Sequence, residues 1–427
     1  MRTKNLFPLL LCSALFTTVM LSCTNEDNTA TGSGDTVAEE IHLTPALESA
    51  YNVGVNDFAF ATFRAMADAN PGTSLVYSPV SASSLLAMLC NGAGGDTLDE
   101  LLQALGFGQE GMTALNEYYC QLMADAPAAD PTVSLHLANG VFTDDGSTVK
   151  PAFAADMENY YHAQAASLDF AAPTTLDYIN GWCSQQTDGL IPSFLDELDP
   201  TASCLLLNAV GFKGKWATPF ISSYTLERPF TREDGTVTTV KRMFMDMGEG
   251  NKCPYTETDD YQAVRMAYGQ GRYAMTVVLP RKGVATTDGV IAALSGEAWN
   301  TLCSSLSLLS GSELVISLPR FTVATPSRAE NLEPVLQQVG AGRMFTPQAE
   351  FPGILEDGGL QVSKVCQKAV INVTEEGTEA AAVTGGFIIS DDPGETQYTY
   401  FTCDHPFVYI ISDVTTGVIY FIGTYHG

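Results

Sequence analysis

Val373 to Gly386 reads VTEEGTEAAAVTGG: two glutamates, a glycine, then a run of small and mostly uncharged side chains. In a β-strand successive side chains point to opposite faces, so a stretch that enters the middle of a sheet must keep one parity small and neutral. Thr378, Ala380, Ala382, Thr384, Gly386 and Ile388 form such a parity, and Glu379 falls on the other. No proline lies between Thr378 and Asp391, so every backbone N–H in that span is free to join a ladder. Gly377 is placed where the chain must turn sharply, because it tolerates backbone angles that other residues avoid. An acidic, alanine-rich surface loop is the plainer reading of the same letters. The rest of the chain decides between the two.

On either side of this stretch the periodicities are mixed. Ser78-Pro79 starts a helix, with serine as the cap and proline in the first turn, and Leu85, Leu86, Met88 and Leu89 carry it over 79–90. Thr97 with Glu100 predicts a capping box before Leu98, Leu101, Leu102 and Leu105, and the helix should stop at Gly106. The Gly-rich NGAGGDT from Asn91 to Thr97 lacks the lysine of a phosphate loop and reads as a turn into that helix. VSLHLA from Val133, YAMTVVLP from Tyr273, ELVISLPRF from Glu313 and GVIYFIGTY from Gly417 read as strands. Helices around a large sheet system, the α+β class, follow, and no repeat of 20–50 residues interrupts them.

With 45% apolar residues among 427, the chain can bury a large core. Its 49 acidic against 20 basic residues give a net charge of -29, which disfavours nucleic acid and repels anionic lipid headgroups. Membrane attachment must then come from an N-terminal anchor. Arg2 and Lys4 precede the apolar run Leu6–Leu21, which is too short to span comfortably and is flanked like an export signal. The run closes on Met20-Leu21-Ser22-Cys23, similar to a bacterial lipobox with Cys23 as the lipidated residue, although Met20 stands where leucine is usual. Residues 1–22 are therefore expected to be removed, taking the charge from -29 to -31. Asn25, Glu26 and Asp27 resemble the acidic tags of lipoproteins sent to the outer face of Gram-negative cells. Polar residues 24–44 read as a tether of roughly 25 Å reach, and a single domain is expected over 45–427.

Catalytic constellations are not evident. None of the five histidines makes an HExxH pair, no GxSxG surrounds a serine, and the eight cysteines other than Cys12 and Cys23 have no metal-ligand spacing. His136 reads as a strand residue rather than a base. No metal or cofactor is expected, and most of the cysteines read as buried thiols.

Asn56-Asp57-Phe58-Ala59-Phe60, then YSPVSASSLLAML, GAGGDTLDELLQALGF, LNAVGFKGKW and SLPRF, resemble motifs of the serpin family in their usual order. VTEEGTEAAAVTGG, CDHPF from Cys403 and FIG from Phe421 extend the resemblance to Gly423. It implies about three β-sheets surrounded by eight or nine helices, and a reactive loop at about 375–400. It also implies a monomeric suicide-substrate inhibitor that is not itself an enzyme. A serine or cysteine protease cuts the loop, is held as an acyl-enzyme, and is displaced when the loop inserts as an extra strand. Fourteen residues from Thr378 to Asp391 span roughly 45 Å, enough to carry the protease along the body. A serpin-fold lipoprotein that binds without inhibiting is the alternative.

By the same resemblance, Glu375 and Glu376 end the strand before the hinge, and Gly377, Thr378, Glu379, Ala380, Ala381, Ala382, Val383 and Thr384 form the hinge. Ser78, Ser81 and Asn208 match the polar shutter and Trp216 the breach where insertion begins. Gln367, after VSKVC, stands where the family usually has a histidine; its amide both donates and accepts but does not titrate. Counting about fourteen residues beyond Gly377 puts the scissile bond at Asp391–Asp392 and implies a protease with a basic primary pocket. The apolar stretch up to Ile389–Ser390 offers the competing site, suited to elastase-like or chymotrypsin-like enzymes.

Overall fold

The first helices are set by their caps. In the computed structural model, Thr44 caps α1 (Pro45–Ala69) by accepting from the Leu47 amide, and Ser78 caps α2 (Pro79–Cys90) by accepting from the Ser81 amide. Every residue of α2 is buried, so it runs through the core rather than along its edge. The structure describes residues 44–427 except 109–110, 203, 247–252, 311, 326–329, 357–359, 361, 363–364 and 379–396. The export signal, Cys23 and residues 24–43 of the tether lie outside the described residues.

The expected capping box does not form. Helix α3 (Gly95–Ala104) begins three residues earlier, capped at Gly94 with no side-chain bond. Thr97 and Glu100 instead accept the backbone N–H groups of Glu350 and Arg343, tying the helix to a distant segment. Tertiary acceptors outcompeted the local ones. The helix does stop at Gly106, whose φ of +83° and the bond from Phe107 N to Leu102 O make the expected C-terminal motif. The remaining helices are α4 (Gly111–Ala128), α5 (Pro151–Tyr161), α6 (Pro173–Gln186), α7 (Thr287–Ala293), α8 (Gly296–Ser305) and α9 (Glu333–Gln338).

The strands are β1 (Leu75–Tyr77), β2 (Val133–Asp144), β3 (Gln164–Leu168), β4 (Cys204–Lys215), β5 (Leu226–Thr231) and β6 (Val237–Asp246). Then come β7 (Tyr255–Glu257), β8 (Tyr261–Ala267), β9 (Tyr273–Pro280), β10 (Glu313–Pro319), β11 (Phe321–Ala324) and β12 (Glu330–Asn331). The last are β13 (Cys366–Gln367), β14 (Val370–Val373), β15 (Gly377–Thr378), β16 (Tyr398–Thr402), β17 (Phe407–Asp413) and β18 (Ile419–Tyr425). The expected strand Glu313–Phe321 is divided at Arg320, its two parts joining different sheets.

Three large sheets result. The main sheet has the order β11-β14-β15-β4-β2-β3, a second runs β1-β18-β17-β9-β8-β7, and a third runs β16-β10-β6-β5. Core side chains of α1, α2 and α4 pack beneath the main sheet, while α6 covers its outer face through Ile179 and Trp182 against Phe142 and Ala209. The architecture is α+β, as the sequence implied, with nine helices among the described residues. Among the described residues, Cys90, Cys120, Cys183, Cys204, Cys253, Cys303 and Cys403 are free thiols.

Candidate functional site: the opening of the main sheet

Strands β4 and β14 flank the two-residue strand β15. After β14 the chain turns at Thr374–Gly377, closed by the Thr374 amide and hydroxyl, both donating to the Gly377 carbonyl at 2.9 and 3.0 Å. Gly377 then pairs with Lys215, and Thr378 pairs with Gly214 on one side and Val373 on the other. A Cβ on Gly377 would lie 2.1 Å from the Gly214 carbonyl oxygen and 2.7 Å from the Lys215 Cα, and φ is +153°. Glycine is required there by contact as well as by conformation. Of the expected hinge, Gly377 and Thr378 are thus seated in the sheet, whereas Glu379, Ala380, Ala381, Ala382, Val383 and Thr384 lie outside the described residues. The scissile candidates Asp391, Asp392, Ile389 and Ser390 lie outside them too.

Trp216 follows β4 directly. Its indole Nε1 donates to the Thr374 carbonyl at 2.9 Å and its amide to the Glu376 carbonyl at 2.8 Å, so it grips the turn from below. Tyr268 stacks on it at 4.2 Å and 15°, and the Tyr268 hydroxyl lies 2.7 Å from that of Thr378. Burial pushes the Tyr268 phenol far above its ordinary value, with the bond to Thr378 opposing, so it stays protonated. Glu375 is fixed by the Thr225 hydroxyl at 2.8 Å and by Arg320 at 3.7 Å. That ion pair has a half-exposed guanidinium and contributes at most about 1 kcal/mol.

Lower in the sheet, Ser78, Ser81, Asn208 and Gln367 are linked by hydrogen bonds. The Ser78 amide donates to Gln367 Oε1 at 2.9 Å, and Gln367 Nε2 donates back to the Ser78 carbonyl at 2.7 Å. The amide side chain fills both roles that its donor and acceptor atoms allowed. The Ser81 hydroxyl donates to the Asn208 carbonyl at 3.3 Å, and Asn208 Nδ2 to Asn139 Oδ1 at 2.7 Å. Asn139 and Tyr268 escaped the sequence reading. The one signal for Tyr268 was its place before a Gly269–Gly271 turn, which says nothing about what its ring touches.

Among the described residues β4 has β2 along one edge, but on the other only β15, over Lys215 and Gly214. No strand of the described residues pairs with that edge from Lys213 down to Cys204, and an apolar cavity of about 520 Å³ lies at its foot. No group of three or more His, Cys, Asp or Glu among the described residues is placed to hold a metal ion.

Comparison with known proteins matches this geometry. The family model described as serpin (serine protease inhibitor) covers residues 53–426. The leukocyte elastase inhibitor of Bos taurus is 32% identical over 378 residues, covering 86% of this chain and 96% of that protein. The corticosteroid-binding globulin of Homo sapiens is also 32% identical, over 77% of this chain and 79% of its own. The native-state crystal structure of the thermophilic serpin tengpin superposes with a TM-score of 0.79 at 26% identity, covering 91% of this chain and 96% of that one. The chain belongs to the serpin family.

Proposed function

We propose that the protein inhibits a protease as a suicide substrate. The protease nucleophile attacks the carbonyl carbon of the scissile bond and forms an acyl-enzyme, while the new amino terminus leaves with the C-terminal fragment. The freed loop then completes the strand that Gly377 and Thr378 have begun. A displaced protease loses the alignment of its oxyanion hole, which tolerates errors of only about 1 Å, so the ester persists. The protein itself supplies no catalytic group.

The observation that carries this reading is the seated pair Gly377–Thr378, which joins β4 and β14 as a strand directly ahead of the loop. The small, proline-free parity beyond it agrees. The similarity to corticosteroid-binding globulin favours the second reading, a serpin that binds a ligand without inhibiting. Incubation with a panel of serine and cysteine proteases, followed by denaturing gels, separates the two. A covalent complex supports inhibition, and clean loop cleavage without one supports the binding protein.

The scissile bond is proposed at Asp391–Asp392. The C-terminal fragment released by an inhibited protease should begin at Asp392 by mass spectrometry, and one beginning at Ser390 would assign the cut to Ile389. The protein is further proposed to be a monomer carried by a lipid on Cys23 at the outer surface of a Gram-negative cell. Cys23→Ala should abolish lipid labelling and release it from membranes.

A further inference from the structure

We propose that the buried guanidinium of Arg242, with the Ser317 hydroxyl beside it, forms a site for one small inorganic oxyanion of the phosphate or sulfate kind. The site belongs to the third sheet and does not depend on the proposed inhibition.

Arg242 lies in β6, opposite Leu226 of β5 and Pro319 of β10. It is 8% exposed, and arginine is almost never buried so far unless it is paired. Among the described residues its Nε and Nη1 are buried with no hydrogen-bond partner. Burial lowers its pKa from the ordinary value, and Asp404 and Cys403 only partly restore it, while Arg228 of β5 lowers it further. The Asp404 carboxylate is already taken. Its Oδ1 lies 2.7 Å from His405 Nδ1 and its Oδ2 3.7 Å from Lys282 Nζ. The turn that carries Asp404 is held against β5 by the Thr231 amide, which donates to the Asp404 carbonyl at 2.8 Å.

Ser317 is the second unfilled group. It pairs with Phe244, two residues along β6 from Arg242, so the two side chains stand on one face with about 7–8 Å between diagonal Cα atoms. An arginine side chain spans that gap. Ser317 is 1% exposed, and its hydroxyl is also buried without a partner. The undescribed segments adjoin the third sheet through Asp246 and Tyr398, which pair with Val315 and Glu313 at the opposite end from Pro319.

Buried polar groups are normally satisfied, so two unfilled neighbours on one face mark a place for a polar guest. The guanidinium only donates, and the hydroxyl can donate, so the guest must accept. Arg228, Arg242 and Lys282 around the single Asp404 leave a local positive surplus in a chain of net charge -29, which draws an anion to this point. An oxyanion has several oxygens, so it can take two parallel guanidinium bonds and the hydroxyl together, as a halide cannot.

Titration calorimetry of the full chain, purified without oxyanions, tests the site with sodium phosphate at an ionic strength held constant by chloride. Phosphate should bind one to one and raise the melting temperature until the site is filled, and sulfate should compete. Arg242→Met should weaken binding at least about tenfold through loss of the charge-assisted pair. Without phosphate that variant should be at least as stable as the parent, because it removes an unpaired buried charge at nearly constant volume. Ser317→Ala should weaken binding by a smaller factor. Lys241→Met removes an exposed cation from the opposite face and should leave binding unchanged. No saturable binding of phosphate or sulfate by the parent overturns the proposal, and so does equal weakening by Lys241→Met, which would mark a general ionic effect. If Arg242→Met does not fold, an unchanged affinity in Ser317→Ala overturns it as well.

Discussion

The hydroxyls of Tyr268 and Thr378 lie 2.7 Å apart, where a buried aromatic pair meets the short strand β15. Tyr268 belongs to the turn after β8 and stacks on Trp216, which in turn holds the Thr374 and Glu376 carbonyls. This contact ties Thr378, the proposed start of the hinge, to the body. Tyr268→Phe keeps the stack and removes the tie. A buried hydrogen bond contributes about 1 kcal/mol, so the population with the hinge withdrawn should rise about fivefold. Limited proteolysis of the loop should quicken accordingly, and an unchanged rate would mean that the hydroxyl contact does not hold the hinge.

Gly377→Ala should expel the hinge by a different route. Its Cβ has no room against the Gly214 carbonyl and the Lys215 Cα. The Thr378 amide is expected to lose hydrogen-exchange protection while Val210 and Phe212 keep theirs. Retained protection at Thr378 would show that the turn relaxes to admit the methyl group.

Thr378 is 1% exposed, facing the core. Thr378→Arg should leave the body folded with its hinge outside the sheet, since a charge in that position must be stripped of water to enter. Protease should then cleave the variant as a substrate. A yield of covalent complex equal to that of the unaltered protein would sink the strand-insertion account.

Gln367→Ala deletes both bonds to the buried Ser78 backbone. Leaving that amide unsatisfied costs about 1–3 kcal/mol, read as a lower urea midpoint with the slope unchanged. A midpoint within error of the parent's would mean that water or a neighbour replaces the amide.

His426 is 6% exposed, and burial holds its pKa below the ordinary 6.5, with Glu233 and Asp288 pulling it back up. The unfolded chain takes up a proton near that value and the folded one resists it. Stability present above about pH 6.5 should therefore be lost as the pH falls below it. His426→Asn should flatten this part of the stability curve. An unaltered slope would assign it to another group.

Much of the site was legible because it is local or ordered along the chain. The helix 79–90 was bounded by its own cap and proline, and Gly377 was marked at a turn by its residue type. The capping box at Thr97 and Glu100 misled because both side chains found backbone donors at Glu350 and Arg343, some 250 residues away. Tyr268 stayed hidden for a similar reason: nothing near it in sequence belongs to the hinge it contacts.

The sequence by itself determined the class of fold, the acidic surface charge, the glycine at the turn and the parity that permits a stretch to enter a sheet, since each depends on residue type and spacing alone. The tertiary structure decided that Gly377 and Thr378 are seated between β4 and β14, that Gln367 both donates to and accepts from Ser78, and that Tyr268 stacks on Trp216 beside Thr378. Those facts depend on which distant side chains share a volume. Packing brings together residues that spacing cannot relate.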